Sequence, residues 1–191
     1  MVQTIDLSQI PASNKEEIAD IAQRAGVNLK DCYQCGKCSA GCPMVEYMDV
    51  LPRMVIRDLQ LGLLDEVLKA KTPWVCAGCN VCSTRCPQNI DIAGIMEEVR
   101  RASKAAGYDP VPEASKFEEY FLDNVRKYGT SREVTLAMKF NLGTGHLFQD
   151  AFNAPTMVFR GILGNGHHKV QNMDAVRMIL EKTTPKEGDK A

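Results

Sequence analysis

The sequence CYQCGKCSAGCP at residues 32–43 returns, with every cysteine and the proline in register, as CAGCNVCSTRCP at residues 76–87. Both runs follow the spacing Cys-x2-Cys-x2-Cys-x3-Cys-Pro, and the second lies 44 residues after the first. Together they contain all eight cysteines of the 191-residue chain. This spacing is typical of bacterial ferredoxins, in which cysteine thiolates bind [4Fe-4S] clusters. The sequence therefore predicts two such clusters and an electron carrier.

The fourth cysteine of such a run binds the cluster of the other run. This rule predicts that the first cluster is held by Cys32, Cys35, Cys38 and Cys86, and the second by Cys76, Cys79, Cys82 and Cys42. Structural zinc is the alternative, because zinc sites with four cysteines also use Cys-x2-Cys pairs. The third cysteine and the Cys-Pro ending favour clusters. Since every ligand is a cysteine and no iron position is left open by count, we expect electron relay and no catalytic residue.

Composition and charge favour some protein classes over others. The formal net charge is -1, and the 23 basic residues are dispersed rather than grouped in a stripe with aromatic residues, so a nucleic-acid partner is not expected. A run of about 18 apolar residues, which a membrane-spanning helix needs, is missing from the sequence. Residues 1–14 lack the pattern of a signal peptide. Oxygen-sensitive clusters and reduced thiolates fit a reducing cytoplasm.

Helical periodicity surrounds the cysteine runs. Residues 14–25 are predicted to form a short amphipathic helix that begins at a capping box, Ser13-x-x-Glu16. A second helix, capped by Asp49, is predicted to continue to Gly62, and a third covers residues 63–70. After the second run, Asp91 is predicted to cap a helix whose apolar positions are Ile92, Ile95, Met96 and Val99. Each half is thus predicted to be a cysteine loop followed by a helix with an acidic cap.

The C-terminal part follows a linker at residues 107–112. Ser115 and Glu118 are predicted to cap a helix, and two more are expected over residues 131–141 and 171–181. Between these, residues 142–163 are poor in charge, and their apolar residues have no clean periodicity; they include Phe148, Phe152 and Phe159. We expect this stretch either to dock a partner or to cover the chain's own helices.

Other candidate sites are weaker. We interpret His146, His167 and His168 as polar loop residues, and Gly161-x2-Gly164-x-Gly166 does not have the spacing of a phosphate-binding loop. Arg53 and Arg57 either offset cluster charge or lie on a solvated helix face. Trp74, close to Cys76, is expected to shield a cluster from water.

Three segments resemble the C subunit of heterodisulfide reductase, which is the small iron–sulfur subunit of that enzyme in methanogenic archaea. They are residues 32–43, the segment Pro52-Arg-Met-Val-Ile-Arg57 with Gln60-Leu-Gly62, and residues 74–87. The resemblance implies an all-α fold: an alpha-helical ferredoxin domain with two [4Fe-4S] clusters and helical N- and C-terminal extensions. We therefore expect this domain at residues 1–108, an extension for partner docking at 109–182 and a flexible tail at 183–191.

The resemblance also implies a function within a complex of subunits A and B of heterodisulfide reductase and a hydrogenase or formate dehydrogenase module. The chain would pass electrons from the flavin-bearing A subunit to the B subunit, which reduces the heterodisulfide of coenzyme M and coenzyme B in methanogenesis. It would be a non-catalytic subunit of an oxidoreductase. Similar domains serve lactate, glycolate and glycerol-3-phosphate dehydrogenases, so membership of such a complex is the alternative. A diffusible ferredoxin is disfavoured by the roughly 100 residues after Cys86.

Overall fold

The structure is a computed structural model that describes residues 10–146, 156, 159–160 and 170–183. Every regular element among these residues is helical, so the predicted all-α class is confirmed. The chain forms two compact units, which divide between Val111 and Pro112. Within the described part of the chain, no helix is long and apolar enough to cross a membrane.

The first unit alternates single helical turns at the cysteine runs with longer helices around them. Its elements are α1 (Ala12–Arg24), α2 (Lys37–Ala40), α3 (Pro52–Leu61), α4 (Leu64–Lys69), α5 (Thr72–Val75), α6 (Val81–Thr84) and α7 (Ile92–Ala105), with 3-10 turns at Leu29–Asp31 and Val45–Tyr47. Helix α7 contacts α1, α4 and α5, and α3 contacts α4. Helix α7 is thus the shared packing partner of α1, α4 and α5.

The hydrophobic core of this unit forms where the apolar faces of α1, α3, α4 and α7 meet. Val55, Ile56, Ile95 and Val99 have no exposed surface. The core also contains Ile18, Ile21, Leu59, Leu64, Val67, Leu68, Ile92 and Met96. The apolar faces predicted from helical periodicity are the faces that the structure buries, because an amphipathic helix gains most of its stability by removing that face from water.

The two helix caps predicted at serine residues are wrong. Helix α1 begins at Ala12 with Pro11 as its N-cap and no side-chain cap, so Ser13 lies inside the first turn. Helix α8 (Pro112–Tyr128) likewise begins before Ser115. In both cases a proline sets the start, because its fixed φ suits the beginning of a helix and it has no amide hydrogen to satisfy there.

Asp49 joins two loops instead of capping α3, which begins at Pro52 with Leu51 as its N-cap. Its carboxylate accepts hydrogen bonds from the backbone amides of Lys71, at 2.8 Å, and Thr72, at 3.0 Å. Partial burial raises the pKa of Asp49, but these bonds and the Thr72 hydroxyl outweigh it and lower the pKa overall. Asp91 does cap α7 as predicted, accepting from the Gly94 amide at 3.0 Å.

The second unit contains α8, α9 (Glu133–Thr144) and α10 (Met173–Thr183). Helix α8 packs against both of the others, with the ring of Phe117 edge-on to that of Phe140 at a centroid distance of 5.7 Å. The helices predicted over 131–141 and 171–181 are present, each slightly further along the chain. Phe148, Phe152, His167, His168 and the glycine motif at 161–166 lie outside the described residues, as does the tail after Thr183.

Candidate metal centre

The two cysteine runs fold alike at the backbone. Gln34 of the first run and its equivalent in the second, Gly78, both have left-handed φ angles, of 62° and 61°. The same is true of Gly36, at 80°, and its equivalent Asn80, at 61°. Glycine and asparagine are the residues that tolerate this conformation best. The sequence repeat is therefore also a repeat of local structure.

Equivalent serines connect each run to the helix that follows it. Ser39, which follows the third cysteine of the first run, accepts a hydrogen bond from the Arg53 amide in the first turn of α3, at 3.0 Å. Ser83, its equivalent, accepts one from the Ala93 amide in the first turn of α7, at 3.0 Å. Each hydroxyl uses a helix-start amide that has no partner within its own helix. These bonds fix the third-cysteine turn of each run relative to a core helix.

The two runs also contact each other. The single-turn helices α2 and α6, one from each run, are in contact. Arg85 of the second run lies over Gly41 of the first. A Cβ atom added to Gly41 would lie 2.1 Å from Nη1 of Arg85 and 3.2 Å from Cδ of the same side chain. A side chain at position 41 would therefore displace Arg85. Gly41 and Arg85 are themselves equivalent positions of the repeat, so one run supplies the space that the other run fills.

Tyr33 is a second residue whose surroundings include both runs. Its pKa is raised by desolvation and, in addition, by the neighbouring thiols of Cys35 and Cys86. The Tyr33 side chain of the first run therefore lies within electrostatic range of Cys86, the last cysteine of the second run.

None of the eight cysteines forms a disulfide bond. Burial raises the pKa of Cys38 and of its equivalent Cys82, and hydrogen bonds from Ser39 and Ser83 offset part of that rise. The neighbouring thiols of Cys32 and Cys76 raise the two pKa values further. Burial disfavours the charged thiolate, which is the form that binds iron. A positively charged metal centre would stabilise this thiolate.

The donor set fits iron–sulfur clusters. Four cysteines, Cys32, Cys76, Cys82 and Cys86, pack against the hydrophobic core, where water is limited. Among the described residues, no three His, Cys, Asp or Glu side chains lie close enough to share one metal ion. In a [4Fe-4S] site each of four thiolates binds a different iron, whereas a structural zinc ion holds its thiolates about 2.3 Å from one point.

Two glutamines contact the first run and were not predicted from the sequence. The Gln34 side-chain amide donates to the Cys32 sulfur at 3.3 Å. The Gln60 amide donates to the carbonyls of Leu29, at 2.7 Å, and Cys32, at 3.0 Å. Comparing the runs could have identified position 34, because its equivalent is Gly78. The role of Gln60 depends on how α3 packs against the chain before the first run, so no pattern in the neighbouring sequence indicates it.

The other predicted residues lie as follows. Trp74 is buried, and its indole nitrogen donates to the Ser103 hydroxyl at 3.3 Å, so it is part of the core; its shielding of a cluster stays a prediction. Arg53 lies against the first run beside Gly36. Arg57 donates to the Gln60 side chain at 3.3 Å. In the second unit, His146 lies 3.0 Å from a carboxylate oxygen of Glu113.

A family model described as a 4Fe-4S dicluster domain matches residues 28–90, which contain both runs. The chain is 33% identical over 105 residues to the iron-sulfur C subunit of CoB–CoM heterodisulfide reductase from Methanopyrus kandleri, an alignment that covers 54% of this chain and 50% of that protein. The chain is a homologue of the C subunit of heterodisulfide reductase.

Two further homologues of this kind support the relationship. The C subunit of the H2:CoB-CoM heterodisulfide,ferredoxin reductase from Methanothermobacter marburgensis is 33% identical over 95 residues, 50% of this chain and 51% of that protein. The C subunit of the ferredoxin:CoB-CoM heterodisulfide reductase from Methanosarcina mazei is 31% identical over 108 residues, 56% of this chain and 66% of that protein. The chain spans about half the length of the first two relatives and about two thirds of the third.

Proposed function

We propose that this chain holds two [4Fe-4S] clusters and relays electrons within a heterodisulfide reductase complex. Electrons enter from the flavin-bearing A subunit and leave to the B subunit, which reduces the heterodisulfide of coenzyme M and coenzyme B. The contact between the two cysteine runs carries this proposal, since Arg85 of the second run lies over Gly41 of the first and helices α2 and α6 are in contact. Clusters held by runs in contact are close neighbours, which a relay requires.

The proposed ligands follow the crossed pattern. The first cluster is held by Cys32, Cys35, Cys38 and Cys86, and the second by Cys76, Cys79, Cys82 and Cys42. Support for the crossing comes from the contact of Arg85 with Gly41, because these two residues directly precede Cys86 and Cys42, the cysteines that would bind the other run's cluster. The contact between α2 and α6 brings the third cysteines of the two runs into the same region.

The chain's own residues would hold the clusters, exclude water and adjust the charge around them. A bound [4Fe-4S] cluster accepts and releases one electron, and hydrogen bonds to its sulfurs and its exposure to solvent set its potential. Gln34 supplies one such hydrogen bond, to the Cys32 sulfur. The packing of Cys32, Cys76, Cys82 and Cys86 against the hydrophobic core limits solvent access. We assign the chain no substrate site, so the chemistry on the heterodisulfide takes place elsewhere in the complex.

The proposed setting is a cytoplasmic hetero-oligomer in which subunits A and B work with a hydrogenase or formate dehydrogenase module. The extension at residues 109–182 is proposed to dock a partner. Anaerobic purification of the tagged chain from its native host should recover both subunits. Recovery of a lactate, glycolate or glycerol-3-phosphate dehydrogenase would instead assign the relay to that complex.

The crossed ligands can be tested with three single variants. Cys35 and Cys79 are both exposed, so Cys35→Ser and Cys79→Ser damage one cluster each without opening the core. We expect the Mössbauer and EPR spectra of Cys86→Ser to match those of Cys35→Ser, because both variants change a ligand of the first cluster. Spectra that match those of Cys79→Ser would show that the ligands do not cross.

A further inference from the structure

A cavity of about 530 Å³ opens between α1, α3 and the loop that leads into the first cysteine run. Its apolar lining includes Ile18 from α1, Leu29 from the loop and Leu59 from α3. Cys32, the first cysteine of the run, is also part of the lining. A group bound here would therefore contact a residue that we propose as a ligand of the first cluster.

Three cationic side chains, Lys15, Lys30 and Arg57, line this cavity, and its described lining includes no acidic side chain. All three cations are exposed, and neither lysine forms an ion pair with a described residue. The nearest acid on α3 is Asp58, which interacts with Arg57 and offsets part of its charge. Arg57 is therefore partly compensated, and Lys15 and Lys30 supply the rest of the positive charge in the lining.

This positive charge is local. The formal net charge of the chain is -1 with neutral thiols, and two oxidised clusters with their thiolates would bring it to about -5. An acidic protein approaching this chain would be repelled by the average charge and attracted at this cavity. Electrostatic complementarity of this kind directs encounter and selects partners.

Gln60 connects the rim of the cavity to the first run. Its side-chain oxygen accepts from Arg57 at 3.3 Å, and its amide donates to the Cys32 carbonyl at 3.0 Å. A carboxylate that binds Arg57 would thus be one side chain away from the backbone of Cys32. The cavity combines a charged rim for recognition with a short path to the metal centre.

The corresponding surface beside the second run differs in charge. Cys76 lines a smaller cavity of about 220 Å³ together with Asp91, Glu97 and Arg100. Two carboxylates accompany one guanidinium there, so this surface has no excess of positive charge. The two runs therefore present different surfaces to a docking protein, although their backbones are alike.

We propose that the cavity lined by Lys15, Lys30 and Arg57 is the docking site for an acidic redox protein that exchanges electrons with the cluster beside Cys32. This inference rests on the proposed relay function. It adds which of the two clusters exchanges electrons with an acidic partner. In each productive encounter a reduced iron–sulfur partner loses one electron and the cluster beside Cys32 gains one. No bond is formed or broken and no proton is transferred.

The test compares binding of a probe protein to the cluster-loaded full chain and to its Lys15→Glu/Lys30→Glu variant. The probe is a small acidic bacterial ferredoxin in its oxidised state, and the dissociation constant is measured anaerobically by calorimetry at low and high ionic strength. We expect the double variant to bind about tenfold or more weakly at low ionic strength and to lose most of the salt dependence, because charge attraction is screened by salt.

A matched control changes the net charge equally at another place. Lys71 and Lys104 are exposed lysines of the same unit that do not line the cavity. The Lys71→Glu/Lys104→Glu variant should bind the ferredoxin within about twofold of the wild-type protein. Equal weakening in both double variants, no weakening in either, or no binding to the wild-type chain at low ionic strength would overturn the proposal.

Two more measurements distinguish protein docking from small-anion binding and from failure of the relay. Inorganic phosphate, titrated at constant ionic strength, should not displace the ferredoxin; displacement that requires Lys15 and Lys30 would make the cavity a small-anion site and overturn protein docking. Reduction by methyl viologen radical cation should load electrons into the wild-type chain and both variants. Failure to reduce the wild-type chain would count against the relay function itself, whereas normal reduction with unchanged ferredoxin binding overturns the docking site alone.

Discussion

Gly41 and Arg85 occupy equivalent positions in the two runs but have opposite roles. The Arg85 guanidinium lies over Gly41, and the position that a Cβ of residue 41 would occupy is already filled. Two arginines could not be accommodated at this contact, so the pair breaks the symmetry of the repeat. The Arg85 guanidinium thus places a positive charge where the runs meet.

The pair can be tested with a double-mutant cycle. Gly41→Ala should displace Arg85 at a cost of about 1 kcal/mol or less, because the clash involves the end of a flexible side chain. Displacing or removing this cation should lower a cluster's reduction potential, since positive charge stabilises the reduced, more negative state. Redox titration followed by EPR should show similar shifts for Gly41→Ala and Arg85→Ala, and the double variant should add nothing. Additive shifts would contradict the displacement of Arg85.

Sequence reasoning identified the cysteines but missed Gln34 and Arg85. The chemistry of a cluster restricts the spacing of its ligands, so eight cysteines in two matched runs could be interpreted without a structure. Gln34 donates to the Cys32 sulfur from a left-handed backbone position, and Arg85 reaches Gly41 where the two runs are in contact. A single copy of the run contains neither signal.

Among the structural elements, the loop before α3 depends on Asp49 for its connection to the start of α5. The Asp49 carboxylate accepts from Lys71 and Thr72, and the Val50 amide donates to the Thr72 hydroxyl at 3.0 Å. Thr72 is fully buried. These bonds join the end of the first cysteine run's loop to the segment that precedes the second run.

Asp49→Asn should lower the free energy of unfolding by about 1 kcal/mol, because the new amide group places a donor opposite a backbone amide that is itself a donor. Since hydrogen bonding holds the pKa of Asp49 below its usual value of 3.8, the contribution is fully present above that pH and disappears as the pH falls through the lower native value. Urea unfolding of the cluster-loaded protein at pH 7 measures the loss. The charge-matched control Glu17→Gln, on the exposed side of α1, should change the midpoint little; equal effects would contradict this role of Asp49.

Helix faces and helix starts differed in how well the sequence predicted them. Periodicity identified the buried faces of α1, α3 and α7, because burial of an apolar face acts over a whole helix. The predicted starts at Ser13 and Ser115 were wrong because a nearby proline competes with the capping serine and begins the helix earlier. The Asp49 cap was wrong for another reason: its partners are distant in sequence.

At the scale of the whole molecule, both cysteine runs and the core that supports them belong to the first unit. Helix α7 completes this core near its C-terminal end, where the Ser103 hydroxyl donates to the Leu68 carbonyl at 2.7 Å and accepts from Trp74. The residues that would hold the clusters, and the core that supports them, therefore all precede Pro112. The second unit is free to serve another purpose, which we propose to be partner docking.

A fragment of residues 1–111 should bind as much iron and sulfide per chain as the full protein. A shorter fragment of residues 1–98 removes Val99 and Ser103 from the core and should fail to retain clusters, because both side chains are fully buried. Iron and sulfide analysis after anaerobic purification distinguishes the two. Loss of the clusters from the longer fragment would show that the second unit is needed to hold them.

The most direct test of the electron relay is the iron and acid-labile sulfide content of the anaerobically purified full chain, with zinc measured in the same sample. Two closed clusters predict about eight irons and eight sulfides per chain, with zinc present only in traces. Zinc without sulfide, or only about four irons and four sulfides in a fully loaded sample, would contradict a two-cluster relay.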